Sequence, residues 1–129
     1  MARSYHVEIA RFAADTDQKW VDNLLSRFDV PGVDSSKQGL SRRISDQGVY
    51  YIALIRALTL ELEVSTSKAV QLAGQLFTVP GGLVVAEDLE LVFDRTAFER
   101  RIDARIVEAV ESIAPARRGR PPKKRPTDE

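Results

Sequence analysis

Three capping signals divide this chain more firmly than any other feature. Thr16-Asp17, Ser45-Asp46 and Ser65 each stand just ahead of an apolar run of helical period. A Ser, Thr or Asp side chain in that place accepts a hydrogen bond from one of the first N–H groups of a helix, which have no partner of their own. Breakers fall between the runs, at Pro31-Gly32 and at Pro80-Gly81-Gly82. The chain is therefore cut into separate short helices, with only brief stretches left over for strands.

After Asp17, Trp20, Leu24 and Phe28 recur at a spacing of four with Val21 and Leu25 beside them, which predicts a helix ending near Phe28. Gln18, Lys19, Asp22, Asn23, Ser26 and Arg27 fall on its other face. Ahead of it, Tyr5 to Phe12 opens with polar/apolar alternation and turns helical over Ala10 to Ala14. Asp34 to Gly39 reads as a loop and Leu40 to Ile44 as a short strand. Val49 to Leu62 and the run behind Ser65 (Ala69, Val70, Leu72, Ala73, Leu76) read as two helices. Leu83 to Val85 and Leu89 to Phe93 flank Ala86-Glu87-Asp88 as a β-hairpin. The last helix, Thr96 to about Ile113, carries an apolar face at Phe98, Ile102, Ile106, Ala109, Val110 and Ile113, and Pro115 is expected to end it. The fold class is mainly α with small β elements.

Composition removes several functions. With no cysteine there is no disulfide, thiolate metal site or cysteine nucleophile. His6 is the only histidine and reads as an ordinary strand-end residue, because one imidazole does not make a histidine zinc site. Val79-Pro80-Gly81-Gly82 lacks the lysine and hydroxyl residue of a phosphate-binding loop. An enzyme is thus not expected, nor a cofactor. No stretch approaches the ~18 to 20 apolar residues of a membrane span, and the first residues do not resemble a signal peptide. A cytoplasmic protein without membrane contact is the expectation.

The zero net charge hides a split. Ala116 to Glu129 holds six Lys/Arg against two Asp/Glu, a net +4, which leaves −4 on the remaining 115 residues. Within that tail, residues 117–125 read Arg-Arg-Gly-Arg-Pro-Pro-Lys-Lys-Arg and offer nothing for a core, so disorder is expected. A polyanion would bind such a segment by releasing counterions. Arg118-Gly119-Arg120-Pro121 with its basic flanks resembles the AT-hook, a minor-groove DNA element. The resemblance implies that Gly119 lets the backbone lie on the groove floor. Arg118 and Arg120 would run apart along a narrow A·T-rich groove, supported by Arg117, Lys123, Lys124 and Arg125. A solubilising or general nucleic-acid-binding tail is the plainer reading.

The order of a short helix, a capped helix, a basic loop with a short strand, and a pair of helices resembles the winged helix-turn-helix domain of the MerR-type family, over about residues 8–76. Ala10 to Phe28 takes the helix-turn-helix place, and Gly39-Leu40-Ser41-Arg42-Arg43-Ile44-Ser45 the wing. Val49 to Leu76 takes that of the helix pair, with its bend at Leu62 to Ser65. The chain differs where the family has glycine: Ala14-Asp15 stands in the first turn and Glu63 at the later bend. Val21-Asp22-Asn23 replaces the family's Arg-Tyr-Tyr stretch. The resemblance implies a second helix in the major groove. There Gln18 and Asn23 would read adenine edges, while Lys19 and Arg27 would meet guanine or phosphate. Lys37, Arg42 and Arg43 of the wing would hold phosphates, and Asp22, if it pointed at the duplex, would face phosphates unfavourably unless it met a cytosine amino group. Trp20 belongs to the core side, and one ring of Tyr50-Tyr51 is expected to cap the wing.

These readings divide the chain into a DNA-binding domain (1–78), a hairpin with an amphipathic helix for dimerisation (79–115), and the basic tail (116–129). Phe98, Ile102, Ile106 and Val110 are the expected homodimer contacts, with the hairpin a second possible surface. The expected function is a double-stranded-DNA-binding protein with A·T preference, a transcriptional regulator or nucleoid-associated protein. The alternative is a protein-interaction module, such as an antitoxin or a phage adaptor, whose helix-turn-helix is structural.

Overall fold

The computed structural model of the protein describes residues 3–34, 42–79 and 81–118, with side chains as far as residue 113. In chain order the elements are β1 (Ser4–Tyr5), α1 (Val7–Ala13), α2 (Gln18–Arg27), β2 (Val33–Asp34) and β3 (Arg43–Ser45). They continue as α3 (Asp46–Glu61), α4 (Thr66–Thr78), β4 (Gly82–Ala86), β5 (Leu89–Val92) and α5 (Arg95–Arg118). The protein is mainly helical with two small antiparallel sheets.

The caps act as their residue types dictate. The Asp17 side chain accepts from the Trp20 N–H at 2.7 Å, the Ser45 hydroxyl from Gly48 and the Ser65 hydroxyl from Lys68. Each such bond stabilises its helix by about 1 kcal/mol. The alternation at His6 to Ile9 does not make a strand. α1 already starts at Val7, because Ile9, Ala10 and Ala13 are buried at helical spacing and four residues of alternation cannot outweigh that stripe.

α3 is the axis of the molecule. Val49, Tyr51, Ile52, Ala53, Leu54, Ile55 and Leu58 are all buried, so it is covered on most sides. It packs against α1, α4, α5 and β3. One ring sequence ties the far end together: Tyr51 lies on Phe77 (4.5 Å between centroids), Phe77 on Phe93 (5.4 Å) and Phe93 on Phe98 (5.3 Å). Tyr51 is thus a core ring and does not cap a wing. Its neighbour Tyr50 turns to α5 and donates to Asp103 at 2.5 Å. Burial first, and then that bond, push the Tyr50 phenol far above its ordinary value. The Tyr5 phenol is raised as well, by burial and then by its bond with Asp46.

In the first sheet β3 lies between β1 and β2, antiparallel to both, with Tyr5 and Val33 flanking the fully buried Ile44. β2 falls at the edge of the segment read from the sequence as loop. Gly32, at φ +87°, makes it possible. Its carbonyl accepts from both the N–H and the hydroxyl of Ser45, and a Cβ there would strike the Gly48 backbone at the start of α3. The β4–β5 hairpin slips register between Val84 and Ala86, and β4 also packs on α4.

α5 corrects two expectations. Its backbone runs through Pro115 to Arg118, so the proline does not end the helix. Ile102 and Ile106 are 1% and 3% exposed, packed with Ala109 into the same core as α1 and α3. They are therefore closed to a second protomer, while Phe98 and Val110 are half-buried against that core. The apolar face was legible, but α1 and α3 cover it within one chain. Arg105 fixes the contact by donating to the carbonyls of Phe12 (2.8 Å) and Ala13 (3.2 Å), the last carbonyls of α1. The Tyr50–Asp103 bond also joins α5 to α3.

Candidate nucleic-acid interface

α2 is a cleanly divided helix. At 100° per residue, Val21, Leu24 and Leu25 fall on one arc and are buried, with Trp20 half-buried at its edge and the C-cap residue Phe28 half-buried just past its end. Gln18, Lys19, Asn23, Ser26 and Arg27 are exposed on the other arc. Lys19, Asn23 and Arg27 stand four apart and form one polar stripe along the helix. The Arg27 guanidinium lies 5.1 Å over the Phe28 ring, which leaves its outer edge open.

α1 leads into α2 through a tight turn. The Thr16 N–H bonds to the Arg11 carbonyl (2.9 Å) and the Asp15 N–H to the Phe12 carbonyl (3.1 Å), the paired closure of a Schellman motif. This closure needs a left-handed residue, and Asp15 supplies it at φ +59°. Glu63, between α3 and α4, is the other non-glycine residue with positive φ among the described residues, at +54°.

The sheet brings the next cations beside α2. Arg43 is exposed on β3 and stands opposite Asp34 of β2. Arg42 is drawn onto α2, with Nη1 3.3 Å from the Asp22 carboxylate and Nη2 3.4 Å from the Ser26 hydroxyl. Its Nε is buried without a hydrogen-bond partner among the described residues. Ser26 sits mid-arc on the outer face of α2 and the half-buried Asp22 at its flank, and Asp22 is paired with Arg42 rather than bare. Asp22 holds Arg42, so that cation is already paired within the protein. The i, i+4 polar pair was visible in the sequence, but a partner twenty residues away was not.

Of the remaining expected contacts, Lys37 lies outside the described residues, as do Gly119, Arg120, Pro121, Lys123, Lys124 and Arg125. Arg117 and Arg118 lie on the last turn of the α5 backbone. Among the described residues, no group of three or more His, Asp or Glu is placed to hold a metal, and no helix is long and apolar enough to cross a membrane. Compared with known proteins, the chain matches no family model, no curated protein and no solved structure.

Proposed function

We propose that this chain binds double-stranded DNA, with α1 and α2 as a helix-turn-helix and the Lys19–Asn23–Arg27 stripe in the major groove. The carrying observation is that stripe: a lysine, an amide and an arginine exposed in one row, on a helix whose other face is locked in the core. Arg42, held against α2 by Asp22, and the exposed Arg43 that follows it on β3 are assigned to phosphate. A second support comes from the backbone. The two places where the MerR-type family has glycine are Asp15 and Glu63, and both hold the left-handed conformation that glycine favours. The basic tail then enters a nearby A·T-rich minor groove. The eleven residues after Arg118 reach at most ~40 Å when extended, and the tether adds a second weak contact to the first. Regulation or chromosome organisation on the nucleoid follows from this reading. The proposed homodimer is joined through the hairpin, whose outer face carries Val84 and Val92, 67% and 77% exposed, with Leu89, 61% exposed, near its tip.

One observation favours the alternative of a protein-interaction module. The same hairpin presents those apolar side chains beside Glu87, Asp88 and Glu90, a surface suited to a polypeptide partner.

Fluorescence anisotropy with A·T-rich and G·C-rich duplexes over a salt series separates the two. The full chain should bind, Lys19→Ala/Arg27→Ala should weaken both duplexes, and Arg118→Ala/Arg120→Ala should remove the A·T preference. Absence of duplex binding at moderate salt would refute the proposal and leave the protein-partner reading.

A further inference from the structure

A cleft of about 220 Å³ opens where the end of α1, the outer half of α3 and the middle of α5 meet. Three arginines line it, Arg56 from α3 with Arg101 and Arg105 from α5, together with two acidic residues, Asp15 and Glu61. Its wall therefore carries an excess of one positive charge. Among the described residues none of the three arginines forms an ion pair. Each lies over an aromatic ring instead: Arg56 over Trp20 at 5.0 Å, Arg101 over Phe98 at 5.2 Å and Arg105 over Phe12 at 5.2 Å.

Stacking of this kind fixes the plane of a guanidinium while its edge N–H groups remain available to an acceptor. Arg105 uses two of its nitrogens on α1 carbonyls and keeps the third. The Arg56 Nε is buried without a described partner, so this cation is partly desolvated and its charge is unanswered. A planar oxyanion is the complement that such forks take up best. Ala53, Ala57 and Leu60 supply an apolar floor beside them, and the cleft is smaller than the ~300 to 1,000 Å³ of drug-sized sites.

We infer that this cleft is a binding site for a small molecule carrying a carboxylate or phosphate group, held between Arg56 and Arg101 with Arg105 behind. The site lies away from the Lys19–Asn23–Arg27 stripe and does not depend on the DNA-binding reading. It does include Asp15, the left-handed residue that turns α1 into α2. Occupancy therefore bridges α3 and α5 at the joint from which α2 is oriented.

Trp20 is the only tryptophan and lies beneath Arg56, so its emission reports changes at that arginine, and substitutions in the cleft separate these from anion binding elsewhere on α2. The full chain is titrated with sodium phosphate and with sodium succinate, each against sodium chloride of equal ionic strength. A saturable change in Trp20 emission is expected with at least one anion. Phosphate alone acting would identify a phosphate-bearing ligand, and succinate alone a carboxylate. Arg101→Gln should raise the half-saturation concentration at least tenfold, and Ala57→Glu, which sets a carboxylate in the cleft, should abolish the response. Thermal midpoints without added anion check that both variants are folded. The inference is overturned if neither anion gives a saturable change, or if the change survives both substitutions in folded protein.

Discussion

Arg42 is fastened to the flank of α2, its guanidinium 3.3 Å from the Asp22 carboxylate across the gap between β3 and the helix. Asp22 therefore sets how much charge this face presents. The pair is 28% and 42% exposed, so it contributes at most about 1 kcal/mol to stability. Asp22→Asn should leave the urea midpoint nearly unchanged yet tighten duplex binding several-fold. Its log K against log salt should steepen, since each added phosphate contact contributes about −0.9 to that slope. Arg43→Ala should make the slope shallower by a similar amount. Unchanged slopes in both variants would remove this face from the DNA contact.

Asp15 and Glu63 are held where an L-residue is penalised by about 1 to 2 kcal/mol relative to ordinary helix geometry. Glycine lifts that penalty but adds backbone freedom to the unfolded chain. Glu63→Gly is expected to stabilise the protein by about 0.5 to 1 kcal/mol. Asp15→Gly should gain less, because aspartate tolerates left-handed backbone better than glutamate does. Chemical denaturation of the two variants tests both the sign and the order.

Gly32 and Gly48 let β2 approach the first turn of α3. An alanine at 48 would place its Cβ 2.8 Å from both the Gly32 carbonyl oxygen and an Ile44 methyl. Overpacking of this kind costs about 1 to 3 kcal/mol. Gly32→Ala should cost more, since its backbone also stands at φ +87°. Thermal melts of the two alanine variants should rank in that order.

Ile102→Ala measures which side of α5 is internal. With Ile102 1% exposed, the loss should be about 2 to 5 kcal/mol. Under conditions where the variant remains folded, sedimentation should give the same oligomeric state as the parent. Val92→Lys, on the hairpin face, should leave stability within about 0.5 kcal/mol and weaken self-association.

Tyr50 carries a pH signature. Burial and the bond to Asp103 raise its pKa in the folded protein above the 10.0 of an ordinary tyrosine. This stabilisation is complete below pH 10.0, where the phenol is neutral in both states. It is lost as pH rises from there towards the folded-state value, because the unfolded chain then releases its proton first. The urea midpoint should therefore fall above pH 10, and Tyr50→Phe should flatten the fall without abolishing it, since Tyr5 is raised too.

What the sequence made legible was local. Asp17, Ser45 and Ser65 declare their helices because a capping bond spans three residues, and the Trp20–Leu24–Phe28 stripe locates α2 through its own period. The hairpin was legible for the same reason. The remainder was set by partners far along the chain. Ile102 and Ile106 form the same pattern whether α1 or a second protomer covers them. Arg42 reads as a free wing cation until Asp22 is brought beside it, and β2 exists only because Gly32 meets Gly48. The α2 stripe was legible as polar residues on one arc. The arginine cleft was not, since Arg56, Arg101 and Arg105 share a wall only after α3 and α5 have docked.

The clasp of Arg105 on the last carbonyls of α1 spans more than ninety residues of sequence. On the ribosome α1 is made more than ninety residues before its anchor. Until residues 102 to 109 have emerged, α1 lacks one wall of its core and the cation that closes its end. Partial products of translation, or chains cut after the hairpin, should be recognised as unfolded by quality-control proteases. Contacts so distant in sequence also slow folding, since a long loop must close before they form. The surface assigned to the ligand is thus the part of the protein whose completion waits longest on the rest.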